Sequence, residues 1–412
     1  MVSYVANDKL DKYDFLMSAV IGIFSGLMDV FFVGKPGDGM LTQWTDKKTE
    51  DLVIKFAEWQ SGKSFTGENA RQNAIQFLER NAKIPYDHAT TAATGGMVQN
   101  LYTKNHHLKS LGHSPDLIGL AFSILDQFQN TSTFLDNGKI IRIDGTGTSL
   151  EGTNFVSKVF SGSTNWFMHL MSDVAGSSGA KGRGSGLNIP FYEMFGFCDF
   201  GAFGQHRQTL ATVMVQVFEK GYDLRHGIAM SIPVITSHLL VMMAWCFKRR
   251  FYHNWEWRSC IPSDDYKSYR RMQLINSGAF CLVDGVDAYI RGKGNPVAVV
   301  LHMNLMAWLR LVKLIIKEIL LTYNKSYEDL HKEMIVINDL LESELAKLKS
   351  YDTVAWQEEN EILRDFNKLI DGKDNKEIGD LALDYVFENG AKLNYSDFNE
   401  FSNLFTNNKA LF

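Results

Sequence analysis

Two long apolar runs limit what this chain can fold into. Residues Phe15 to Gly34 form a run of about membrane-spanning length in which Asp29 is the only acidic residue inside the run, and Ile228 to Phe247 form a second such run. Small residues recur at helical spacing in the first run, which allows close helix packing in lipid. We therefore expect membrane-spanning helices. The first run is equally compatible with a buried helix of a soluble protein, in which Asp29 caps a neighbouring helix.

The composition also favours helices. The chain contains 28 Phe, 16 Met and 8 Trp but only 7 Pro, and proline is the residue that most often breaks a helix. Four cysteines lie far apart without a Cys-x-x-Cys pair, so neither a thiol zinc site nor a disulfide framework is indicated. We predict a mainly α-helical fold with a membrane-associated helical core, a small β-hairpin around the Asn137-Gly138 dipeptide and a soluble helical C-terminal domain.

The chain is predicted to have two parts. Residues 1–324 form the core, with a soluble helical insertion at residues 35–105. Residues 325–412 carry 19 Asp and Glu against 10 Lys and Arg, which is typical of a solvated acidic domain. Lys248, Arg249 and Arg250 directly follow the second apolar run, and the positive-inside rule places them, and the C-terminal domain with them, in the cytoplasm. No secretory signal is evident at the amino terminus, so the cell membrane is the expected location.

The stretch from Thr164 to Phe195 contains the first indication of chemistry. His169 and Asp173 are four residues apart in an apolar segment, so a helix would place both on one face. An imidazole and a carboxylate aimed at one point supply two of the protein ligands of a zinc-type site. The simpler alternative is a histidine that hydrogen-bonds the carboxylate one turn away.

Three further histidines cluster at His106, His107 and His113, just ahead of a helix whose entry we expect to be capped by Ser114. Together with Asp29, these side chains give nitrogen and oxygen ligands at long intervals, as expected when several helices converge on one site. Such ligands suit Zn²⁺ or, less selectively, Mn²⁺ or Fe²⁺. We therefore expect a divalent metal as cofactor.

A glycine-rich loop carrying Lys181 and Arg183 follows His169 and Asp173. Basic side chains among exposed backbone N–H groups favour an anion, so the loop is predicted to hold a phosphate of a substrate. It is not a Walker motif, because no Gly-Lys-Ser/Thr follows at the required spacing. Nothing in the sequence indicates nucleic-acid binding or a particular oligomeric state.

The order of these motifs resembles the membrane-bound metal-dependent hydrolases related to the LexA-inducible inner-membrane proteins. That pattern has an apolar helix with an aspartate, a His-Arg-Gly-x-Thr-His-Ser motif, then His-x-x-x-Asp, a glycine-containing loop and Pro-Phe. Here Leu111 to Ser114 is similar to the Thr-His-Ser portion, His169 and Asp173 match His-x-x-x-Asp, and Pro190-Phe191 match the last step. The resemblance covers residues 13–200. It implies a hydrolase at the membrane with a fold akin to helical zinc phosphodiesterases and phospholipases.

Two functional hypotheses follow. In the first, the protein is a membrane-associated metal-dependent hydrolase of a phosphoester, either a lipid head group or a nucleotide. His107, His113, His169 and Asp173 would bind the metal, and Asp29 would be a further ligand or the general base, with His169 and Asp173 also in the catalytic set. In the second, the protein is a non-enzymatic pore or scaffold, and its intramembrane polar residues line a wet path or join helices. Bound metal distinguishes the two.

Overall fold

The computed structural model describes residues 8–147, 150, 152–176 and 183–322, together with the isolated residues 339, 342, 343 and 364. Within this part of the chain the protein is mainly α-helical with one two-stranded sheet, as predicted. The chain divides into two compact units, Met1–Leu314 and Ile315–Phe412. The predicted acidic domain, residues 325–412, lies almost entirely outside the described residues, so its boundary stays a prediction.

Helices make up most of the first unit. The α-helices of the described residues are α1 (Lys12–Met28), α2 (Met40–Ser61), α3 (Ala70–Asn81), α4 (His106–Lys109), α5 (Leu117–Gln129), α6 (Phe155–Asp173), α7 (Leu210–Glu219), α8 (Leu224–Phe251), α9 (Lys267–Gly292), α10 (Pro296–His302) and α11 (Leu305–Thr322). A π-helical turn, Asp29–Val33, extends α1. The 3₁₀ helices are Ala92–Thr94, Leu111–His113, Tyr192–Phe197 and Trp257–Cys260.

The predicted hairpin is present between α5 and α6. Strands β1 (Thr131–Asp136) and β2 (Lys139–Asp144) pair antiparallel, with Asp136 opposite Lys139. The two turn residues, Asn137 and Gly138, have φ values of 47° and 75°. Positive φ at both central residues defines a type I′ turn, which Asn-Gly adopts with little strain. The local sequence signal is therefore confirmed.

Among the described residues, two helices are long and apolar enough to cross a membrane, Lys12–Val33 and Leu224–Phe251. These helices contain the two apolar runs. Only a third of the apolar window of each is buried inside the protein, and α1 exposes large apolar side chains along its length: Phe15, Leu16, Val20, Phe24 and Phe31. Apolar side chains that face outwards from a long helix are expected in lipid and unfavourable in water.

The small residues of α1 pack against α9. A Cβ atom on Gly22 would lie 2.3 Å from the carbonyl oxygen of Asn276, and one on Gly26 would lie 2.8 Å from Cβ of Val283. Because real Cβ atoms do not approach other atoms so closely, both positions require glycine. The expectation that this face of α1 allows close helix packing agrees with this contact.

The two apolar helices, α1 and α8, run in opposite directions. Near the start of α1, Asp14 accepts hydrogen bonds from Arg249, which is close to the end of α8. At the other end, Val33 packs in one hydrophobic core with Met230 of α8 and with Leu108 and Tyr192. The basic cluster at Lys248–Arg250 and the core that contains Leu108 therefore lie at opposite ends of these helices.

Asp29 lies inside the helical bundle, where Asn304 donates a hydrogen bond from Nδ2 to its Oδ1. Asp284 of α9 lies within hydrogen-bonding reach of Asp29 and accepts from the Asn304 N–H at 2.9 Å. Asn304 occupies the break between α10 and α11, two apolar helices bent by 81°. These contacts join Asp29 to α9 and to the break between α10 and α11, and its predicted role as a metal ligand or general base stays a prediction.

Candidate metal centre

Four histidines and an aspartate converge from separate stretches of the chain. His106 and His107 lie on α4, and His113 ends the 3₁₀ helix that follows it. His169 and Asp173 lie one turn apart at the C-terminal end of α6. All five side chains are buried. The four residues predicted to bind metal, His107, His113, His169 and Asp173, are thus brought together, and His106 joins them.

The ligand atoms of this cluster face one another. Nε2 of His169 lies 3.2 Å from Nε2 of His113 and 3.2 Å from Oδ2 of Asp173. The same carboxylate oxygen lies 3.5 Å from Nε2 of His107. The contact between His169 and Asp173 is the i, i+4 pairing expected from their spacing on a helix.

Backbone carbonyl groups determine which ring nitrogen carries the proton. Nδ1 of His106, His107 and His169 lies 3.1, 3.2 and 3.2 Å from the carbonyl oxygens of Thr103, Gly186 and Ala82, respectively. A carbonyl oxygen only accepts, so each Nδ1 donates and each neutral ring keeps its lone pair on Nε2. Metal-binding histidines are oriented in this way. Several lone pairs and a carboxylate facing one another in a buried space repel unless a cation lies among them.

Burial sets the protonation of these groups. It lowers the pKa of His106 to about 3 and that of His107 to about 4. The pKa of His113 is also lowered well below its usual value by burial. These imidazoles are therefore neutral at pH 7, which is the form that binds a metal.

Asp87 completes the cluster and was not predicted. Its Oδ1 lies 3.7 Å from Nε2 of His106 and 4.0 Å from Nε2 of His113. The ligand atoms of His106, His107 and His113 all lie within 4.8 Å of one another, and so do those of Asp87, His113 and His169. The Asp87 side chain is 45% exposed, so the cluster meets solvent at this carboxylate.

A sequence signal for Asp87 did exist. The segment Pro85-Tyr86-Asp87-His88 places two residues of metal-binding type, Asp87 and His88, side by side. The segment follows α3 in a loop, where no periodic pattern indicates which side chain points inwards. Asp29, in contrast, is conspicuous in the sequence because it interrupts an apolar run.

Tyr86 packs against His113 of the cluster, and Gly112 packs against Tyr86. The Tyr86 ring packs edge-on against His113 at 5.1 Å between centroids, and its hydroxyl group contacts Oγ of Ser123 at 2.6 Å. A Cβ atom on Gly112 would lie 2.8 Å from the Tyr86 ring. Only glycine therefore lets the ring approach His113 so closely, and this packing restrains the imidazole.

Arg183, near the end of the glycine-rich loop, belongs to a largely buried ion network. Arg183 donates to Asp46 at 2.8 Å and to Asp223 at 2.8 Å, and it also donates to the carbonyl oxygen of Gly221. These contacts use Nε and both terminal nitrogens of its guanidinium group. The guanidinium group of Arg183 thus already has partners within the chain, and its predicted role in holding a phosphate stays a prediction. Lys181 lies outside the described residues.

Asp223 connects this network to the metal cluster. Its carboxylate accepts from the Gly186 N–H at 3.0 Å, and the carbonyl group of Gly186 accepts from Nδ1 of His107. Burial alone would raise the pKa of Asp223, but Arg225 and Arg183 lower it to about 2. A permanent anion thus anchors the N–H of Gly186, the residue whose carbonyl group orients His107.

The donor set, four imidazoles and two carboxylates, is suited to a divalent metal ion. The chain matches no family model, no curated protein and no solved structure. The resemblance to membrane-bound hydrolases therefore depends on the motifs quoted above and stays a proposal.

Glu193 is a buried acid close to this cluster. Nδ2 of Asn188 donates to it at 2.9 Å and also to Oγ of Ser114 at 3.0 Å. The hydroxyl group of Ser114 is thus bound to Asn188, and Asp116, not Ser114, caps α5 by accepting from the Gly119 N–H. The predicted Ser114 cap is wrong.

We predict that Glu193 makes the protein less stable as the pH rises. Burial raises its pKa to about 7, so the folded state binds this proton more tightly than the unfolded state. The resulting stabilisation, up to about 3 kcal/mol, is complete below about pH 4 and is lost as the pH rises through 7. Thermal unfolding of the wild type and of Glu193→Gln at pH 5 and pH 8 measures this, and Glu193→Gln should be the more stable protein at pH 8. Parallel pH dependence in the two proteins would contradict the prediction.

Proposed function

We propose that the protein is a membrane-associated, metal-dependent hydrolase of phosphoesters, with zinc as the metal. The observation that carries the proposal is the set of imidazoles whose Nδ1 groups donate to backbone carbonyls while their Nε2 atoms face two carboxylates. His107, His113, His169 and Asp173 would hold the ion, with His106 and Asp87 completing its surroundings. A zinc ion bound in this way lowers the pKa of bound water to about 7 and supplies hydroxide.

The exposed carboxylate of Asp87 is the best candidate for a proton acceptor. It borders the cluster on the side that meets solvent, so a water molecule entering there reaches Asp87 before the buried histidines. An ionised carboxylate in hydrogen-bonding reach of that water would take its proton as the water oxygen bonds to phosphorus and the bond from phosphorus to the leaving ester oxygen breaks. The carboxyl group would then return the proton to that leaving oxygen. Asp173 is enclosed by histidines and is better placed to bind the metal than to move protons.

The proposal also places the site on one side of the membrane. The metal cluster adjoins the core at the Val33 end of α1, and Lys248–Arg250 lie at the other end. If that basic cluster faces the cytoplasm, the site faces away from it. Asn304 contacts Met230 of α8, and Arg310 contacts Val234, which is nearer to the Lys248–Arg250 end of that helix. The chain therefore runs towards that end between Asn304 and Arg310. This direction is consistent with cytoplasmic residues 325–412.

Hydrolysis by reconstituted protein in oriented vesicles tests the proposal. With zinc, a chromogenic phosphodiester should be cleaved only when it is supplied on the face opposite the protease-accessible C-terminal part. Asp87→Asn should reduce kcat by about 10²- to 10⁴-fold, as expected for loss of a general base, and should leave zinc bound. Lys63→Ala, a change at an exposed residue after α2, serves as the matched control.

The non-enzymatic alternative is favoured by one observation, the near-complete burial of five of the six donors. In that case the metal would only fix the fold, as in closed structural sites. Bound zinc without any hydrolysis on either face would support this alternative and contradict the hydrolase. Hydrolysis on the cytoplasmic face would leave the chemistry intact and overturn only the orientation.

A further inference from the structure

Large apolar side chains occur at every third residue between Pro190 and Gly204, and all of them are exposed. Their exposed fractions lie between 39% and 61%, and the residues, together called the aromatic ridge, are Phe191, Met194, Phe197, Phe200 and Phe203. Soluble surfaces do not usually carry so many large apolar groups in one short segment. The ridge therefore has a partner.

The local backbone explains why the ridge faces outwards. Tyr192–Phe197 is a 3₁₀ helix, in which residues three apart lie above one another. Tyr192 and Glu193 point into the protein and are buried, so Met194 and Phe197 share the outer face. The 3₁₀ geometry therefore places these apolar side chains on one exposed side of the helix.

Phe191 is fixed at the start of the ridge. Its φ of 65° is in the left-handed region, which bulky residues rarely adopt. Asp116 holds this conformation by accepting the Phe191 N–H at 2.7 Å. Strain of this kind persists where the surrounding structure enforces it, often at functional sites.

A polar, basic cavity adjoins the end of the ridge. It has a volume of about 420 Å³, which is within the range of ligand-binding pockets. Two lysines, Lys220 and Lys293, line it together with His206 and several amide side chains, and no carboxylate is among its lining residues. The cavity is therefore suited to an anion.

The ridge and the cavity are continuous with the apolar helices. A Cβ atom on Gly204, the residue after Phe203, would lie 2.9 Å from the ring of Pro296. Pro296 begins α10, the first half of the bent apolar pair that has the hydropathy of a membrane span. Tyr192 packs in the same core as Val33, the last residue of the α1 span. The ridge thus lies at the end of the spanning helices.

We propose that the aromatic ridge and the adjoining basic cavity form a lipid-docking surface. The ridge inserts among acyl chains just below the head groups, and Lys220 and Lys293 bind the phosphate of an anionic lipid. Apolar side chains beside basic ones are the combination that binds to an anionic membrane surface. For catalysis, this inference rests on the proposed function. If the protein hydrolyses phosphoesters, a lipid-docking surface favours a lipid phosphoester over a nucleotide as the substrate.

The test uses the full chain in nanodiscs and an added tryptophan as reporter. Phe200→Trp is compared with Phe155→Trp, since the two phenylalanines are 61% and 60% exposed. The fluorescence emission of each added tryptophan is obtained by subtracting the emission of the parent protein. It is measured in nanodiscs that contain brominated phosphatidylcholine or brominated phosphatidylglycerol. The reporter at position 200 should be quenched by both lipids and more strongly by phosphatidylglycerol, whereas the reporter at position 155 should not be quenched.

Lysine variants in the Phe200→Trp background test the cavity. Lys220→Ala with Lys293→Ala should reduce the preference for phosphatidylglycerol by about fivefold for each lysine removed, while quenching by phosphatidylcholine persists. Lys63→Ala with Lys104→Ala, two other exposed lysines, should leave the preference unchanged. Equal effects of the two pairs would overturn the phosphate site.

The remaining outcomes are also decisive. Absence of quenching at position 200, or equal quenching at positions 200 and 155, overturns the lipid-docking surface. A shielded but unquenched reporter in a protein that is dimeric by native mass spectrometry would make the ridge an interface between copies, and this too overturns it. Because these measurements require neither metal nor turnover, their failure would leave the hydrolase proposal standing.

Discussion

Purified wild-type protein is expected to contain at least one equivalent of a divalent metal, and replacement of His169 and Asp173 by alanine is expected to remove it. These two side chains lie at the centre of the cluster, where Nε2 of His169 is 3.2 Å from both Nε2 of His113 and Oδ2 of Asp173. Loss of both ligands should weaken zinc binding by more than about 100-fold, because even an outer partner of a ligand typically accounts for about 10- to 100-fold. Elemental analysis by mass spectrometry measures the bound metal.

A second readout is thermal unfolding with and without a chelator. Zinc that binds only the folded state stabilises it by about 3 to 4 kcal/mol at 100 to 1,000 times its Kd. The chelator should therefore lower the Tm of the wild type and leave that of the double variant unchanged. His226→Ala is the matched control, since His226 is buried outside the cluster and its ring has no hydrogen-bond partner among the described residues. Wild-type protein that is free of metal and insensitive to zinc would refute the metal centre.

Asp223→Ala is expected to weaken metal binding by about 10- to 100-fold although Asp223 is not in the cluster. Its carboxylate accepts the N–H of Gly186, and the carbonyl group of the same residue accepts the Nδ1 proton of His107. Removal of the Asp223 carboxylate also deprives Arg183 and Arg225 of their buried partner. This loss should lower the free energy of unfolding by about 3–5 kcal/mol. Isothermal titration with zinc, together with chemical unfolding, separates the two effects.

The control for this prediction is another buried aspartate that pairs with arginine. Asp14 is fully buried and accepts from Arg249, but it lies at the opposite end of α1 and α8. Asp14→Ala should therefore destabilise the protein to a similar degree and leave zinc affinity unchanged. If both variants lowered zinc affinity equally, the effect would be general destabilisation, and the specific role of Asp223 would be excluded.

The features that sequence predicted correctly depend on neighbours a few residues apart. The spacing of His169 and Asp173 places them on one face of α6, and Asn137-Gly138 forms the hairpin turn, because both contacts are local. The two apolar runs likewise predicted helices, and both runs lie in described helices that are long and apolar enough to cross a membrane. Convergence of His113 with His169 was expected from the cost of burying each group separately.

The features that sequence did not predict depend on distant contacts. Asp87 lies in a loop, and only the fold shows that it faces His106 and His113. The link from Asp223 through Gly186 to His107 joins three segments with no common pattern. The sequence around Arg183 is typical of an anion-binding loop. In the fold, however, the guanidinium group of Arg183 already contacts carboxylates from distant parts of the chain.

The contact between Asp29 and Asn304 has a consequence for biosynthesis. The two residues are 275 positions apart, so at about 5–20 residues per second a ribosome makes Asn304 roughly 14 to 55 s after Asp29. During that interval a carboxylate in an apolar segment lacks its final hydrogen-bond donor, which is unfavourable in lipid. If the first helix crosses the membrane as proposed, we therefore expect it to stay near the membrane surface or in contact with an insertion machine until α9 and Asn304 have been translated.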